Sequence, residues 1–246
     1  MSPIIKILIL LVRFSVIDAR ATMLAPVSGF AISFLSGKSI VDANLTVLET
    51  GRQLKTDETG HFGPILYPVG QPFTLELQKA NFKTTQSATV IVPASGLTSP
   101  YDNVTLQVPS LPVFYLLKKI IDGDEDPNQC HVVTTVTDYH KTLNDLPQGI
   151  EGATVKLSPS TNTVPFYFNV VTGNIFHGKT NPFTKGLTST SLDGGVIFFN
   201  LMPQPFLYEI TAEKPGVTFS KAYFICRKGA FINLSPPNGP SVITAR

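Results

Sequence analysis

The sequence predicts an all-β protein built from two Greek-key antiparallel β-sandwich domains in tandem. Turn-forming residues recur about every 8–12 residues, apolar residues mostly alternate between these turns, and no long amphipathic helix pattern separates them. Many short strands without intervening helices favour antiparallel sandwiches over a parallel α/β sheet. Hydrophobic residues make up 43% of the 246 residues and charged residues 15%, so the chain is rich enough in apolar groups to bury a core.

Residues 1–21 are predicted to form a secretory signal peptide. The apolar run from Ile4 to Ile17 contains Lys6 and Arg13, and Ala19-Arg20-Ala21 has the small-x-small pattern of a cleavage site. The run is shorter than the roughly 20 residues that cross a bilayer, and no later stretch reaches that length. The alternative is a buried first strand. We expect a secreted protein, extracellular or periplasmic, with no membrane span in the mature chain.

The charge balance argues against nucleic acid as a partner. The chain has 19 basic and 17 acidic residues, and outside the first 21 residues the balance is 16 against 16. A neutral body lacks the electrostatic attraction for phosphates on which nucleic-acid binding depends. Cys130 and Cys226 both lie in the second half, and in an exported protein such a pair predicts a disulfide. The alternative is two buried thiols.

Three sequence blocks recur in the same order, which indicates a duplicated domain. They are IVDANLTVL (40–48) with IEGATVKL (150–157), TDETGHFG (56–63) with TSLDGGVIFF (190–199), and FTLELQKANFKTT (73–85) with YEITAEKPGVTFS (208–220). We therefore predict domain 1 at 22–110, a linker or shared strand at 111–129, and domain 2 at 130–240 with an insertion at 158–189. The segment Val113 to Ile121 is predicted as the last strand of the first copy or the first strand of the second.

The middle block has the residues of a tight turn that opens into a strand. Asp57 can bond its own backbone, and Gly60 can take the positive φ that closes the turn. Phe62 then begins the strand with an inward ring. In the second copy, Asp193, Gly194 and Gly195 are predicted to take the turn role.

The blocks together resemble the carboxypeptidase regulatory-like domain, a seven-stranded, transthyretin-like (prealbumin-like) Greek-key sandwich. The first copy is similar from about Gly29 to Val92. In the second copy the resemblance rests on Val136, Asp138, Ala153, Val155, Gly195, Phe198, Tyr208 and Ile210. It implies this fold for each copy and indicates little about function. It concerns the accessory domain rather than the carboxypeptidase, whose zinc motif is absent from the sequence.

The insertion carries aromatic residues that are candidates for ligand binding, because aromatic side chains on loops are common in recognition surfaces. The candidates are Phe166, Tyr167, Phe168, Phe176, His177 and Phe183. The alternative is a packed excursion, such as an added hairpin, that completes the core.

A short acidic loop follows the predicted linker strand. Asp122, Asp124 and Asp126 have the alternating spacing of a calcium loop. Pro127 stands where an EF-hand needs glycine, and no glutamate follows at the twelfth position. The alternative is therefore a solvated linker without a metal. Calcium is the one candidate cofactor, and otherwise none is expected.

No nucleophile elbow, P-loop or dinucleotide-binding motif occurs in the sequence, so no catalytic residue is predicted. His131 and His140 flank the first strand of the second copy, and His61 lies at an outward-facing turn position. Three glycosylation sequons begin at Asn44, Asn103 and Asn233, and they matter in a eukaryotic exported protein.

We therefore expect a secreted, non-enzymatic binding or adhesion protein that recognises a host or cell-surface protein or glycan through its sandwich loops. A second hypothesis is a secreted hydrolase with its site at the domain junction, near His131, His140 and the acidic loop from Asp122 to Asp126. A third is an exported bacterial effector or structural protein whose sandwiches space two surfaces.

Overall fold

A computed structural model of the chain describes residues 22–121, 123–145, 147–168 and 186–244. The predicted signal peptide, residues 1–21, lies outside the described residues. Within them the fold is all-β, with sixteen strands and one helix, which confirms the predicted fold class. None of the described residues belongs to a helix that is long and apolar enough to cross a membrane.

In the part of the chain predicted as the first copy, the strands from Leu24 to Val108 form a sandwich of two sheets, called copy 1 below. Its strands are β1 (Leu24–Ser33), β2 (Asn44–Val47), β3 (Gln53–Lys55), β4 (His61–Pro68), β5 (Pro72–Phe73), β6 (Leu75–Gln78), β7 (Thr85–Gln86), β8 (Val90–Ile91) and β9 (Val104–Val108). One sheet has the order β4-β1-β9, and the facing strands have the order β3-β2-β6-β7. Phe73, Leu75 and Leu77 are fully buried between them, as their alternation predicts.

In the part predicted as the second copy, the strands from Cys130 to Leu234 form another sandwich, called copy 2 below. Its strands are β10 (Cys130–Thr135), β11 (Thr154–Ser158), β12 (Phe166–Tyr167), β13 (Gly195–Leu201), β14 (Leu207–Glu213), β15 (Ala222–Ile225) and β16 (Phe231–Leu234). The strands β12-β13-β10-β16 face the sheet β11-β14-β15. The disulfide Cys130–Cys226 joins these two sheets, which confirms the predicted pairing.

Both copies connect their strands in the same way. In copy 1, β1 pairs antiparallel with β4 and parallel with β9, and in copy 2, β10 pairs antiparallel with β13 and parallel with β16. The facing sheets repeat the antiparallel orders β2-β6-β7 and β11-β14-β15. The insertion in copy 2 therefore leaves the strand order unchanged and adds β12 at the edge of its sheet.

A buried threonine closes the same connection in each copy. In copy 1, Oγ1 of Thr56 accepts the N–H of Ala43 (2.8 Å) and donates to the C=O of Ile40 (2.7 Å). In copy 2, Oγ1 of Thr190 accepts the N–H of Ala153 (2.9 Å) and donates to the C=O of Ile150 (2.6 Å). We call these two arrangements the threonine clamps. Each one satisfies a buried donor and a buried acceptor that would otherwise lack partners.

The predicted glycine turns follow the clamps. Gly60 has φ +81°, and a Cβ there would lie 2.8 Å from the C=O oxygen of Ala31. Gly194 has φ +75°, and a Cβ there would lie 2.2 Å from the C=O oxygen of Val136. Both positions need glycine for their backbone conformation and for the close approach of the neighbouring strand.

The segment predicted as a linker strand, Val113 to Ile121, is instead helical. The helix α1 (Leu111–Ile120) begins after Ser110 and has Pro112 in its first turn, where a missing N–H costs nothing. Its buried residues, Phe114 and Leu117, are three positions apart and pack on the sheet of copy 2. The apolar residues thus follow a helical period, which a short apolar run does not distinguish from a buried strand.

One continuous sheet joins the two copies. The strand β7 of copy 1 lies beside β16 of copy 2 in parallel, with Thr85 opposite Phe231 and Gln86 opposite Ile232. The resulting eight-stranded sheet has the order β12-β13-β10-β16-β7-β6-β2-β3. The two sandwiches are therefore connected by backbone hydrogen bonds as well as by the chain.

Candidate functional site

Polar side chains reinforce the junction between the copies. Arg227 contacts the Glu76 carboxylate through Nη2 and donates from Nε to Oε1 of Gln86 (2.9 Å). Gln86 in turn donates from Nε2 to the C=O of Ile225 (2.9 Å). On the other side, Nδ2 of Asn233 donates to a backbone carbonyl of β9 (2.7 Å). These contacts oppose rotation of one sandwich against the other.

A second polar cluster surrounds Glu125 in the segment between the copies. Its Oε1 accepts a hydrogen bond from Nζ of Lys83 (2.6 Å), and its Oε2 lies 3.7 Å from Nζ of Lys118 on α1. Lys83 also lies over the ring of Phe114, 4.3 Å from its centre. Burial raises the pKa of Glu125, but the two lysines outweigh burial and hold this pKa below its ordinary value. The carboxylate is therefore charged and compensated.

His131 lies beside this cluster and has no solvent exposure. Its Nδ1 accepts the N–H of Asn200 (3.0 Å), so Nε2 carries the proton of the neutral ring. Nε2 lies 3.8 Å from Oε1 of Glu125 and makes no hydrogen bond within the described part of the chain. The ring stacks on Phe199, with centres 4.0 Å apart. Burial lowers the pKa of His131 to about 4, against the opposing effect of Glu125.

The acidic loop is held against the end of the sheet rather than around an open cavity. Nδ2 of Asn200 donates to the C=O of Asp124 (2.9 Å), and Oδ1 of Asn200 accepts the N–H of Asp126 (3.1 Å). The Asp126 carboxylate accepts the N–H of Asn128 (2.8 Å). Asp122, the third calcium candidate, lies outside the described residues. Among those that are described, no group of three or more His, Cys, Asp or Glu side chains is arranged to hold a metal ion.

The structure does not bring His140 to His131. His140 stacks between two tyrosines, with ring centres 4.6 Å from Tyr101 and 3.9 Å from Tyr139. His61 is exposed on β4, and its Nδ1 shares a hydrogen bond with the Thr59 hydroxyl (2.9 Å). The histidines that the hydrolase hypothesis combines are therefore engaged in separate contacts.

The aromatic candidates of the insertion divide into those inside and those outside the described chain. Tyr167 and Phe168 are buried, and the Tyr167 hydroxyl accepts the N–H of Val155 (3.0 Å). Phe166 is half-buried and contacts the Phe168 ring edge-on, with centres 5.7 Å apart. The rings of Tyr167 on β12 and of Phe168 after it belong to the apolar core, so neither ring is accessible to a ligand. Phe176, His177 and Phe183 lie outside the described residues, and their ligand-binding role stays a prediction.

The three sequon asparagines differ in their surroundings. Asn44 is exposed on β2. Asn103 is half-buried with its side-chain oxygen enclosed, and Asn233 is buried with its amide bonded across the junction. Asn44 is therefore the sequon asparagine with an open side chain, whereas a glycan on Asn233 would break a contact between the copies.

A groove of about 400 Å³ lies between the copies, on the side of β8 and β15. Its walls come from the segment after β7 in copy 1 and from the start of β15 and the turn after β16 in copy 2. The lining includes Ile91, Tyr101, Asp102, Lys221, Tyr223 and Asn238. Sequence analysis missed this groove because its walls are more than a hundred residues apart in the chain and carry no motif.

No family model matches the sequence, and no curated protein matches it. Among solved structures, the shaft pilin of Lactobacillus rhamnosus GG is 9% identical, with 91% of this chain and 99% of that chain covered and a TM-score of 0.26. The minor pilin of Streptococcus agalactiae is 8% identical, with coverages of 89% and 98% and a TM-score of 0.29. The Bacillus anthracis TIE protein is 13% identical, with coverages of 88% and 34% and a TM-score of 0.25. TM-scores below 0.5 do not establish a common topology, so fold and function rest on the strands and side chains of this chain.

Proposed function

We propose that the protein is an exported, non-enzymatic binding or adhesion protein whose two sandwiches act as one rigid body. The observation that carries this proposal is the groove between the copies, which is lined by half-exposed aromatic rings and framed by the shared sheet. Ligand sites lie preferentially at domain interfaces, and a rigid frame lowers the entropic cost of binding. The partner class is a host or cell-surface protein or glycan.

We also propose that each copy is a carboxypeptidase regulatory-like, transthyretin-like domain, with boundaries at 22–110 and 130–240. The equal strand order and the repeated threonine clamps support a duplicated unit. The segment 111–129 then acts as a structured connection, since it contains α1 and the Glu125 cluster.

Export through a signal peptide at residues 1–21 is part of the same proposal. It is supported by the buried disulfide Cys130–Cys226, because such bonds persist in oxidising compartments and are rare in the cytosol.

The two other hypotheses differ in what supports them. The hydrolase hypothesis is supported by the short distance between His131 and Glu125. The His131 ring is fully enclosed, however, and cannot reach a substrate. The hypothesis of a structural spacer is supported by the rigid junction, and it assigns no role to the groove.

Binding of fluorescently labelled protein to intact epithelial and bacterial cells tests the main proposal. We expect saturable binding that excess unlabelled protein displaces. Absence of saturable binding to either cell type would favour the spacer, and turnover of ester, peptide or glycoside substrates would favour the hydrolase. Either result contradicts the proposal.

A further inference from the structure

The rim of the groove carries a fixed aromatic surface. The Tyr101 side chain is 52% exposed and lines the groove. One face of its ring stacks on His140, at an interplanar angle of 17°, and His140 stacks on Tyr139 at 16°. Tyr139 packs against the core of copy 2, so the exposed ring is anchored through two others. An anchored ring loses little conformational freedom when a ligand binds.

The groove has no excess of positive charge, because its lysine is paired and its carboxylate has no basic partner among the described residues. Nζ of Lys221 lies 2.9 Å from Oε1 of Glu209, and this pair raises the pKa of Lys221. Oδ1 of Asp102 accepts the N–H of Ser99 (2.8 Å), which leaves its second oxygen available. Phosphorylated or strongly acidic ligands need an excess of positive charge, which this lining lacks. The groove is suited to a neutral ligand that offers hydroxyl groups.

The backbone of the groove offers little to an extended peptide. The N–H of Thr89 donates to the C=O of Tyr223 (2.8 Å), and the N–H of Ser220 donates to the C=O of Ser241 (2.7 Å). Two further lining residues have no N–H: Pro93 and Pro237. Strand addition depends on free main-chain groups. The Tyr101 and Tyr223 hydroxyls, in contrast, make no hydrogen bond within the described ranges, so side chains dominate recognition.

From the anchored ring, the lack of excess positive charge and the engaged backbone, we propose that the groove between the copies binds a neutral oligosaccharide. The apolar C–H face of a pyranose ring packs on the electron-rich face of Tyr101, and its hydroxyls bond to Asp102 and to the tyrosine hydroxyls. This inference rests on the proposed binding function and names its ligand class and site.

An array of neutral hexose and N-acetylhexosamine oligosaccharides, probed with the purified protein, tests the inference. The brightest oligosaccharide is then titrated by calorimetry against the wild type, Tyr101→Ala, Tyr101→Phe and Tyr115→Ala. Tyr115 is the matched control, because it is 60% exposed but lies on α1 and not in the groove. We expect Tyr101→Ala to weaken binding at least tenfold and Tyr115→Ala to stay within threefold of the wild type. Tyr101→Phe keeps the ring but loses one hydroxyl contact, so it should weaken binding less than Tyr101→Ala does.

The outcomes separate this inference from the proposed function. A silent array, or equal affinity of Tyr101→Ala and the wild type, overturns the oligosaccharide site. Cell binding that persists in that case leaves the binding function in place. Loss of cell binding in Tyr101→Ala with a silent array would assign the groove to a protein partner, which also contradicts the inference. The thermal unfolding midpoint of each variant, measured by circular dichroism, confirms that the fold is intact.

Discussion

The turns that follow the two threonine clamps close with the same backbone hydrogen bond, from Gly60 to Asp57 in copy 1 and from Gly194 to Ser191 in copy 2. Their carboxylates, however, lie at different positions of the turn and in opposite surroundings. In copy 1, Oδ1 of Asp57 accepts hydrogen bonds from the side chain and N–H of Thr59 and from the N–H of His61, and these bonds lower the pKa of Asp57. In copy 2, Asp193 lies one position before Gly194, and burial raises its pKa to about 7. The clamp and the glycine are thus common to both copies, whereas the carboxylate lies at a different position of each turn and its pKa shifts in the opposite direction.

The copies also differ in what stabilises them beyond the clamp. Copy 2 has the disulfide and the buried His131, and α1 covers its sheet. In the described part of copy 1, the histidine is the exposed His61, and the two sheets are held by apolar packing and by buried hydrogen bonds of neutral side chains such as Thr74 with Thr89 (2.8 Å). We therefore expect copy 2 to respond to redox conditions and, through His131, to lose stability as the pH falls from 6.5 towards 4. Copy 1 contains no cysteine, and the lowered pKa of Asp57 makes it lose stability only at more acidic pH.

The largest difference should come from the disulfide. Replacing both cysteines, in Cys130→Ser/Cys226→Ser, removes a link across 96 residues, which the chain-entropy model values at about 4–5 kcal/mol of unfolding free energy. Urea unfolding followed by hydrogen exchange should show the loss in copy 2 first. Equal loss of protection in both copies would contradict the comparison and indicate that the shared sheet makes them unfold together.

The next effect concerns pH. His131 takes up a proton below about pH 6.5 in the unfolded chain but only below about pH 4 in the folded protein. The neutral buried ring therefore costs no folding free energy above pH 6.5, and the protein loses stability as the pH falls from 6.5 towards 4. Between pH 7 and pH 4 the wild type should lose about 3 kcal/mol more than His131→Gln, measured by urea unfolding. His61→Gln is the control and should keep the wild-type pH dependence. The expectation fails if His131→Gln keeps that dependence as well.

The threonine clamps should have similar energetic weight in the two copies. Thr56→Val and Thr190→Val each leave a buried N–H and a buried C=O without partners, at a cost of about 2–3 kcal/mol. Chemical unfolding of the two variants should give losses that agree within about 1 kcal/mol. The exposed Thr154→Val serves as the control and should change little. A clamp that matters in one copy alone would argue against a common structural role.

The smallest effect should come from the junction. Arg227→Ala removes the contacts with Glu76 and Gln86 and should cost about 1–2 kcal/mol, because these bonds are charge-assisted and partly buried. Lys156→Ala breaks an exposed ion pair with Glu213 and should cost less than about 0.5 kcal/mol. Solution scattering of Arg227→Ala should show whether the two sandwiches remain aligned. Identical unfolding curves for both variants would mean that the Arg227 contacts do not stabilise the junction.

The sequence predicted the elements that depend on local chemistry. The alternation of Phe73, Leu75 and Leu77 and the turn glycines Gly60 and Gly194 appear as expected, because side-chain period and backbone freedom act over a few residues. The helix α1 was missed because a short apolar run fits both a strand and a helix, although Pro112 after Ser110 is a helix-start signal.

The candidate site was beyond prediction for a different reason. Tyr101 and Tyr223 line the same groove because β7 pairs with β16. No local sequence pattern predicts the pairing of strands from two domains. The burial of His131 likewise depends on Phe199 and on the loop after α1, which reach it through the tertiary fold. Sequence reasoning identified His131 as a residue of interest but not its enclosed position.

The parallel pairing of the first and last main strands in each copy has a mechanical consequence. In copy 1 these strands are β1 and β9, and in copy 2 they are β10 and β16. Tension applied along the chain pulls such neighbours in opposite directions, so all of their hydrogen bonds carry load at once instead of opening one after another. A protein that tethers a surface under flow would resist unravelling through this shear geometry.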